Sequence, residues 1–581
     1  MILQALTHYY EDLLALGKIE RPGWSKSKVS YGLMLNDEGQ LTQLTHLQKE
    51  LVRGKKTVQA PQELLVPSPA KRSSGVLANF LCDNSSYLLG VDAKGKPTRT
   101  SECFAAAKEL HRKLLEQADS PAARAVVRFF ECWDPAQAAS HPALQEDWDN
   151  LLRGGNLIFW YGYAPVAQDP AIADAWTQHY EASDDAAESI RCLVTGRCGP
   201  LARLHPNIKG VAGAQSSGAS LVSFNASAFC SYDHEQGANA PVSEYAAFAY
   251  AAALNTLLSD RDHVCRVGDT TILCWAAGGD SNYQDYFIAN MFGDSYSEND
   301  LLDTLHHLAK GEHITWNDNQ LAPDTRFYVL GLAPNAARLS VRFFWQNTFG
   351  RMARNLARHY DRLNIIRPAY DKFPTLPVWR LVQETVRKPS PDARPAEPNP
   401  RLAGDLLLAL LNDMPYPATL LDGTALRIRA ERNVSRGQAA IIKAYYLRNS
   451  SNPKLKEVMT VELNEQSTYL PYVLGRLFAV LEAVQQSANP GINATIKDRY
   501  FNSASATPSS VFPLLINLAQ KHLAKLDGGL SLYYQKKIAD LIDRITQTLP
   551  ARMTLPEQGA FQLGYYHETQ KRYAKSKKEE S

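Results

Sequence analysis

Four arginines, Arg351, Arg354, Arg358 and Arg362, stand at successive spacings of three, four and four residues. On a helix, that spacing places four guanidiniums on one face. Met352, Leu356 and Leu363 form the adjoining apolar stripe that would seat such a helix on a core. From Arg338 to Arg367 there are seven arginines and a single acid, Asp361. Guanidinium binds phosphate through paired hydrogen bonds and stacks on bases, so the pattern suits a polyanion. It equally describes a solvated helix face paired with acids from elsewhere in the chain.

A second candidate is the run GVAGAQSSGASLVSFN from Gly210 to Asn225. Small residues allow close approach of backbone to a polyanion or a groove. Gln215, Ser216, Ser217, Ser220 and Asn225 supply neutral donors and acceptors, the groups that read base edges. Lys209 and His205 flank the run. A structural loop between strands would have the same composition. A third candidate is Trp24-Ser25-Lys26-Ser27-Lys28, where an indole could stack and Lys26 and Lys28 could hold phosphates. A buried Trp with solvated lysines is the competing reading.

Catalytic signatures are missing. The chain has no GxxxxGK[ST], no HExxH, no GxSxG and no GxGxxG after a strand. Asp184-Asp185 and Asp260/Asp262 read as solvated loop acids. Asp260-Arg261-Asp262-His263 lacks the rigid setting that a metal nuclease needs. The eight cysteines include no CxxC pair; Cys192, Cys198 and His205 are the only suggestive group, short of a four-ligand zinc site. Buried, reduced thiols are expected instead, and no metal, cofactor or catalytic residue is assigned.

The elements that would carry these groups follow from periodicity. The first twenty residues read as a helix, and Val29, Tyr31, Leu33 and Leu35 as one face of a strand turned at Asn36 to Gly39. Tyr87 to Val91 reads as a strand followed by a turn from Asp92 to Lys96, and Ser101 as a helix N-cap. Leu221 to Phe224, Thr271 to Trp275, Tyr328 to Leu332 and Leu339 to Trp345 read as strands. Prolines 389, 391, 395, 398 and 400 mark an extended linker. Beyond it, Leu402–Leu411, Gln438–Arg448, Tyr469–Gln486, Ser510–Leu526 and Ser531–Leu549 carry helical periodicity, and the lysine-rich segment from Lys571 to Ser581 reads as a frayed tail. The expected fold is α+β: a mixed α/β region over 1–388, a linker over 389–401 and a helical bundle over 402–581.

Bulk properties permit this and restrict little else. The 581 residues hold 62 basic and 60 acidic side chains, for a net charge of +2, so any nucleic-acid surface must be local. The N-terminus lacks a signal-peptide pattern and no run of about 20 apolar residues occurs, so a cytoplasmic chain with no membrane partner is expected.

Four stretches together resemble a known family, the large subunit of the type I-C CRISPR Cascade complex. They are PGWSKSKVSYGLML (22–35), NFLCDNSSYLLG (79–90), CLVTGRCGPLARLHPNIKGVAGAQSSGASLVSFNASAF (192–229) and NAPVSEYAAFAYAAALNTLL (239–258). The likeness is clearest over the first 390 residues. Cys198 departs from the expected pattern. The resemblance implies a non-catalytic subunit of a crRNA-guided complex. Such a subunit recognises a T-rich protospacer-adjacent motif in double-stranded target DNA, helps open the duplex, stabilises the R-loop and displaced strand, and helps recruit a helicase-nuclease. It implies backbone, RNA-processing and small subunits as further partners. It also draws in Asn79 and Asn84 as second-rank DNA contacts. A nuclease or RNA-processing enzyme of a defence system is the alternative function, and a scaffold without DNA contact a third. In such families the small subunit is often made from an internal start, for which Met459 is the candidate, giving a product of 123 residues. An ordinary internal methionine is the competing reading.

Overall fold

A computed structural model of the chain describes residues 1–53, 56–70, 75–93, 97–184, 189–293, 298–371, 373, 375–388 and 396–579. Apart from the first two residues, these form two compact units, one of 3–206 with 223–253, the other of 207–222 with 254–581. Of the segment 389–401, residues 396–401 lie within the second unit and residues 389–395 are outside the described residues.

In the first unit, the helix Ile2–Ala15 precedes strands β1 (Trp24–Leu35), β2 (Leu41–His46), β3 (Gln48–Arg53), β4 (Lys56–Pro67), β5 (Cys82–Asp83), β6 (Asn156–Tyr161) and β7 (Ala164–Pro165). The sheet order is β3-β4-β1-β6-β5, with β2 also on β1 and β7 on β6. β1 and β6 run parallel; the other pairings are antiparallel. Val29, Tyr31, Leu33 and Leu35 are buried as the alternation requires, and Ser30 and Gly32 are buried too, because β1 is central and covered on both faces. The turn closes where Gly39 takes φ +78° and donates to Asn36 O. An aromatic core of Phe80, Phe129, Phe130, Phe159 and the His111 ring packs beneath. Strands β8 (Ser189–Arg191) and β9 (Cys198–Pro200) form a separate two-stranded ribbon.

The second unit holds β10 (Val264–Val267), β11 (Thr270–Ala276), β12 (Ile314–Trp316), β13 (Asn319–Leu321), β14 (Arg326–Asn335) and β15 (Arg338–Thr348). β10-β11-β14-β15 make an antiparallel meander, while β12 and β13 pair alone. A single hydrophobic cluster runs from Val267 in this sheet to Tyr566 in the last helix, so sheet and helices share one core. Beyond residue 400 the helices are Leu402–Asn412, Ala418–Glu431, Arg436–Asn449, Pro453–Glu457, Leu470–Ala488, Ile496–Ala506, Pro508–Leu523, Gly528–Ile542 and Leu555–Glu579. The α+β class is therefore as expected.

Several local readings need correction. Tyr87 to Val91 is not a strand: Ser85–Leu88 is a short helix, because the Asn84 carboxamide accepts from Ser86 N at 3.0 Å and caps it. Of the turn expected after it, residues 94–96 lie outside the described residues. Ser101 is not an N-cap, since the helix already begins at Pro97, a residue favoured in a first turn. Leu221 to Phe224 is not a strand; the bridges lie just before it, Ala219 to Ile208 and Ser220 to Arg338. The helix begun near Ser531 ends at Ile542, short of Leu549. The lysine-rich tail is the continuation of the helix Leu555–Glu579, held by Arg572, which donates to Gln486 Oε1 at 2.8 Å; residues 580–581 lie outside the described residues.

Candidate nucleic-acid interface

The small-residue run folds as a loop of the second unit over residues 207–222. Gly218 N donates to Gln215 O at 2.9 Å, closing a turn with Ser216 and Ser217 at its corner. Gly218 takes φ +101°, and a Cβ there would meet Asn207 and Ile208, so only glycine closes this turn without strain. The flanks are fixed. Ile208 and Ala219 exchange backbone hydrogen bonds, Lys209 N donates to Asn255 Oδ1 at 2.8 Å, and Ala212 N donates to Thr271 Oγ1 at 3.1 Å. Ser220 docks on the β14–β15 turn: its N donates to Ala337 O at 3.0 Å and its O accepts from Leu339 N at 3.0 Å. The result is a rigid base presenting an exposed corner of Gln215, Ser216 and Ser217, with the exposed Lys209 beside the turn.

The arginine helix is real and spans Phe349–Leu363. Thr348 caps it, accepting from Arg351 N at 3.3 Å. Met352, Leu356 and Leu363 are buried, as the stripe requires. The four arginines, however, divide. Arg362 Nη2 reaches Asp413 Oδ1 at 2.6 Å, and Arg358 Nη1 reaches Asp413 Oδ2 at 3.0 Å. Arg448 joins the same carboxylate at 3.7 Å. Burial alone would raise the Asp413 pKa, but hydrogen bonds from Arg362 and Arg358 and the charge of Arg448 outweigh it and hold the carboxyl below its ordinary range. Arg354 is exposed, with Nε donating to Ala309 O at 3.3 Å. Arg351 is exposed as well. The stripe thus offers two outward guanidiniums at its N-terminal end, while Arg358 and Arg362 at its other end are engaged by an acid 51 residues from Arg362 in sequence.

β15 measures the gap between these groups. Ser220 bridges its first residue, Arg338, and the arginine helix starts one residue after its last, Thr348. At about 3.3 Å per residue the two ends of β15, at the Ser220 bridge and at the start of the arginine helix, lie roughly 30 Å apart. Neutral hydrogen-bonding groups on a fixed loop and exposed guanidiniums one strand-length away suit base-edge and phosphate contacts respectively.

The model of the family described as CRISPR-associated protein (Cas_Csd1) matches residues 6–573, nearly the whole chain. This chain belongs to the Csd1 family. It is thereby a CRISPR-associated protein, consistent with the large subunit of type I-C Cascade. No curated protein matches it.

The remaining sequence candidates of this Csd1 chain fall elsewhere. Lys26 and Lys28 are exposed on β1 in the first unit, and Lys26 pairs with Glu20 at 3.3 Å. Trp24 is buried, only 3% exposed, so no indole face is left for a base; the Arg21 guanidinium lies 5.3 Å from its ring centroid. Asn79 Oδ1 accepts from Ala70 N at 3.0 Å, and Asn84 is the helix cap; both hold backbone. Asn225 is exposed and belongs to the first unit, whereas Gln215 to Ser217 belong to the second. His205 is buried with Nδ1 2.8 Å from Tyr250 Oη.

Acids and thiols also differ from expectation. Asp260 is not a merely solvated acid: with Asp285 it clamps His263, at 2.7 and 2.6 Å. Burial would lower the His263 pKa, but these two carboxylates raise it. Asp185 lies outside the described residues, and Asp184 ends the helix Pro170–Asp184. The cysteines are free, but Cys132, Cys198 and Cys230 are exposed, not buried. Cys192 Sγ accepts from Ser243 N at 3.3 Å and Val194 N at 3.4 Å; burial opposes ionisation, yet hydrogen bonds from Ser243 and Thr195 bring its pKa down to about 7. Among the described residues no helix is long and apolar enough to cross a membrane.

Sequence reasoning missed Asp413. Its signal was the pair Asn412-Asp413 ahead of Met414-Pro415, an acid where an apolar helix must end. Asp413 takes φ +51°, a left-handed conformation that Asp tolerates, and this turns its carboxylate to the arginines. Asn255 was missed too; it sits in the last turns of the apolar helix Glu244–Ser259 and holds the loop by both Lys209 N and Asn207 O.

Proposed function

We propose that this Csd1 chain is the non-catalytic large subunit of a crRNA-guided surveillance complex, in which it recognises the protospacer-adjacent motif in duplex DNA. Gln215, Ser216 and Ser217 read base edges, Lys209 neutralises phosphate beside them, and Arg351 and Arg354 hold the backbone of flanking duplex or of the displaced strand. The observation that carries this reading is the exposed Gln-Ser-Ser corner on a loop fixed at five backbone positions, Ile208, Lys209, Ala212, Ala219 and Ser220. Such a group is pre-ordered for recognition and has little part in the core. Motif binding then favours duplex opening and R-loop stabilisation, and the helicase-nuclease that cuts is a separate protein. Partners are crRNA, target DNA and the backbone, RNA-processing and small subunits, in the cytoplasm. The lack of catalytic signatures in the sequence supports a binding role over the alternative of a nuclease or RNA-processing enzyme.

The test uses the purified chain and a duplex bearing the motif. Binding that weakens steeply with salt and leaves the DNA uncut in magnesium or manganese supports the reading. Cleavage would favour the enzyme, and salt-independent or absent binding the scaffold.

Met459 as a second start is part of this proposal. The product 459–581 would contain the five helices from Leu470–Ala488 to Leu555–Glu579, and Leu470–Ala488 packs closely on Leu555–Glu579. Lys521, Lys525, Lys536, Lys537 and Arg544 are its candidate strand contacts, though Lys537 is already paired with Glu568 at 2.7 Å. Recoding Met459 to Leu should abolish a small C-terminal polypeptide that co-purifies with the complex; its persistence would overturn the assignment.

A further inference from the structure

The helical part of the second unit holds an open cavity of about 1000 Å³ whose lining includes neither the turn nor the arginine helix. Its volume is at the upper end of the about 300–1,000 Å³ typical of small-molecule sites. Three tyrosines of the lining, Tyr370, Tyr533 and Tyr573, are well exposed, an unusual placement for large aromatic rings on a folded surface. They come from three separate segments: the chain after the arginine helix, the helix Gly528–Ile542 and the helix Leu555–Glu579.

Cations converge on the same space. Lys497, Lys537 and Arg572 line it. The two carboxylates in the lining do not cancel them all. Glu568 is nearly buried and shared between Arg476 Nε at 3.1 Å and Lys537 Nζ at 2.7 Å. Glu482 is buried as well and accepts from Tyr565 Oη at 2.7 Å and Thr495 Oγ1 at 2.7 Å. Arg572 donates to the neutral Gln486, so its charge stays uncompensated by that partner. Lys537 lies 5.6 Å from the Tyr533 ring, which places a cation and an aromatic face side by side.

A pocket with aromatic faces and surplus positive charge selects a planar, anionic ligand. We infer that this cavity binds a nucleotide unit, with its base stacked on Tyr533 and its phosphate held by Arg572 and Lys497. Base-aromatic stacking tolerates any base, so the site discriminates by shape and charge and not by sequence. Two sources share this chemistry: a free nucleotide, or an unpaired stretch of nucleic acid whose bases are splayed out. The site lies on residues other than the turn and the arginine helix, and does not depend on their role.

The test is calorimetric titration of the full chain with dTMP, with inorganic phosphate and with a six-residue oligothymidylate. Wild type should bind dTMP at one site more tightly than inorganic phosphate. Tyr533→Ala and Arg572→Gln should each weaken dTMP at least tenfold, while Tyr533→Phe retains it and all three variants melt as wild type does. Oligothymidylate that competes with dTMP and binds more tightly assigns the site to a strand; competition without added affinity assigns it to a free nucleotide. The inference is overturned if dTMP binds no better than phosphate, or if neither Tyr533→Ala nor Arg572→Gln changes nucleotide binding. Duplex binding of the Arg351→Ala/Arg354→Ala variant is measured alongside, and its outcome bears only on the duplex interface.

Discussion

His111 shows how a side chain with catalytic reputation can be wholly structural. It is fully buried, its Nε2 accepts from Leu81 N at 2.8 Å, and its Nδ1 lies 2.7 Å from Ala107 O. Those partners require the neutral ring with the proton on Nδ1. Burial depresses its pKa to about 4 from an ordinary 6.5. His359 and His567 are likewise buried and pushed down to about 3. Unfolded chains take up these protons near pH 6.5 and the folded chain does not. Stability from this source is therefore complete above pH 6.5 and is lost as pH falls towards 4. The urea midpoint should drop from pH 7.5 to pH 5.0, and His111→Phe should lessen that drop while lowering the midpoint at pH 7.5, because Leu81 N loses its acceptor. An unchanged drop in His111→Phe would remove His111 from this account. Asp413 makes the opposite case, a carboxylate whose pKa is depressed, so its contribution is present above the ordinary carboxylate range and lost below it. Asp413→Asn should destabilise the chain by about 1–3 kcal/mol, since three guanidiniums lose their counter-charge. It should also steepen the salt dependence of DNA binding, because Arg358 and Arg362 are released from their acid. A flatter dependence would contradict the proposed polarity of this surface.

At the scale of elements, the closest packing is between the helices Leu470–Ala488 and Leu555–Glu579. A Cβ on Gly475 would lie 1.9 Å from Phe561 O, and one on Gly564 2.3 Å from Tyr472 O. Backbone cannot yield as a side chain can, so Gly475→Ala or Gly564→Ala should cost about 3 kcal/mol or more, read as a lower urea midpoint. Equal stability of either variant would mean the two helices do not approach as described. The regular elements around this pair were legible in the sequence because their apolar residues repeat without interruption. The meander strands were legible for the same reason. What was not legible depended on partners distant in sequence. The Tyr87 segment has a strand's composition, yet the single side chain of Asn84 nucleates a helix turn. The arginine spacing fixed the helix and its buried face, but nothing within it could reveal that Asp413 occupies Arg358 and Arg362. The Gly/Ser run could be marked for its composition, whereas its exposed corner arises from Asn255, Thr271 and the β14–β15 turn, all beyond its own ends. Asn79 and Asn84 were drawn in by resemblance, and their hydrogen bonds go to backbone.

At the scale of the whole molecule, β15 spans roughly 30 Å between its Ser220 bridge and the start of the arginine helix, about nine base-pair steps of 3.4 Å. A single duplex could meet both, its bases at the turn and its phosphates at Arg351 and Arg354. Replacing both arginines by alanine should weaken binding to matched and unmatched duplexes alike and reduce the salt slope by about two. The measurement that tests the central claim most directly is the affinity of the assembled complex for a matched motif and for a single-base change in it, with wild-type chain and with Gln215→Ala. A base contact at the turn predicts that Gln215→Ala lowers affinity for the matched motif and narrows the gap between the two duplexes by about 1–3 kcal/mol. An equal loss on both duplexes, or no loss on either, would contradict base reading by the turn.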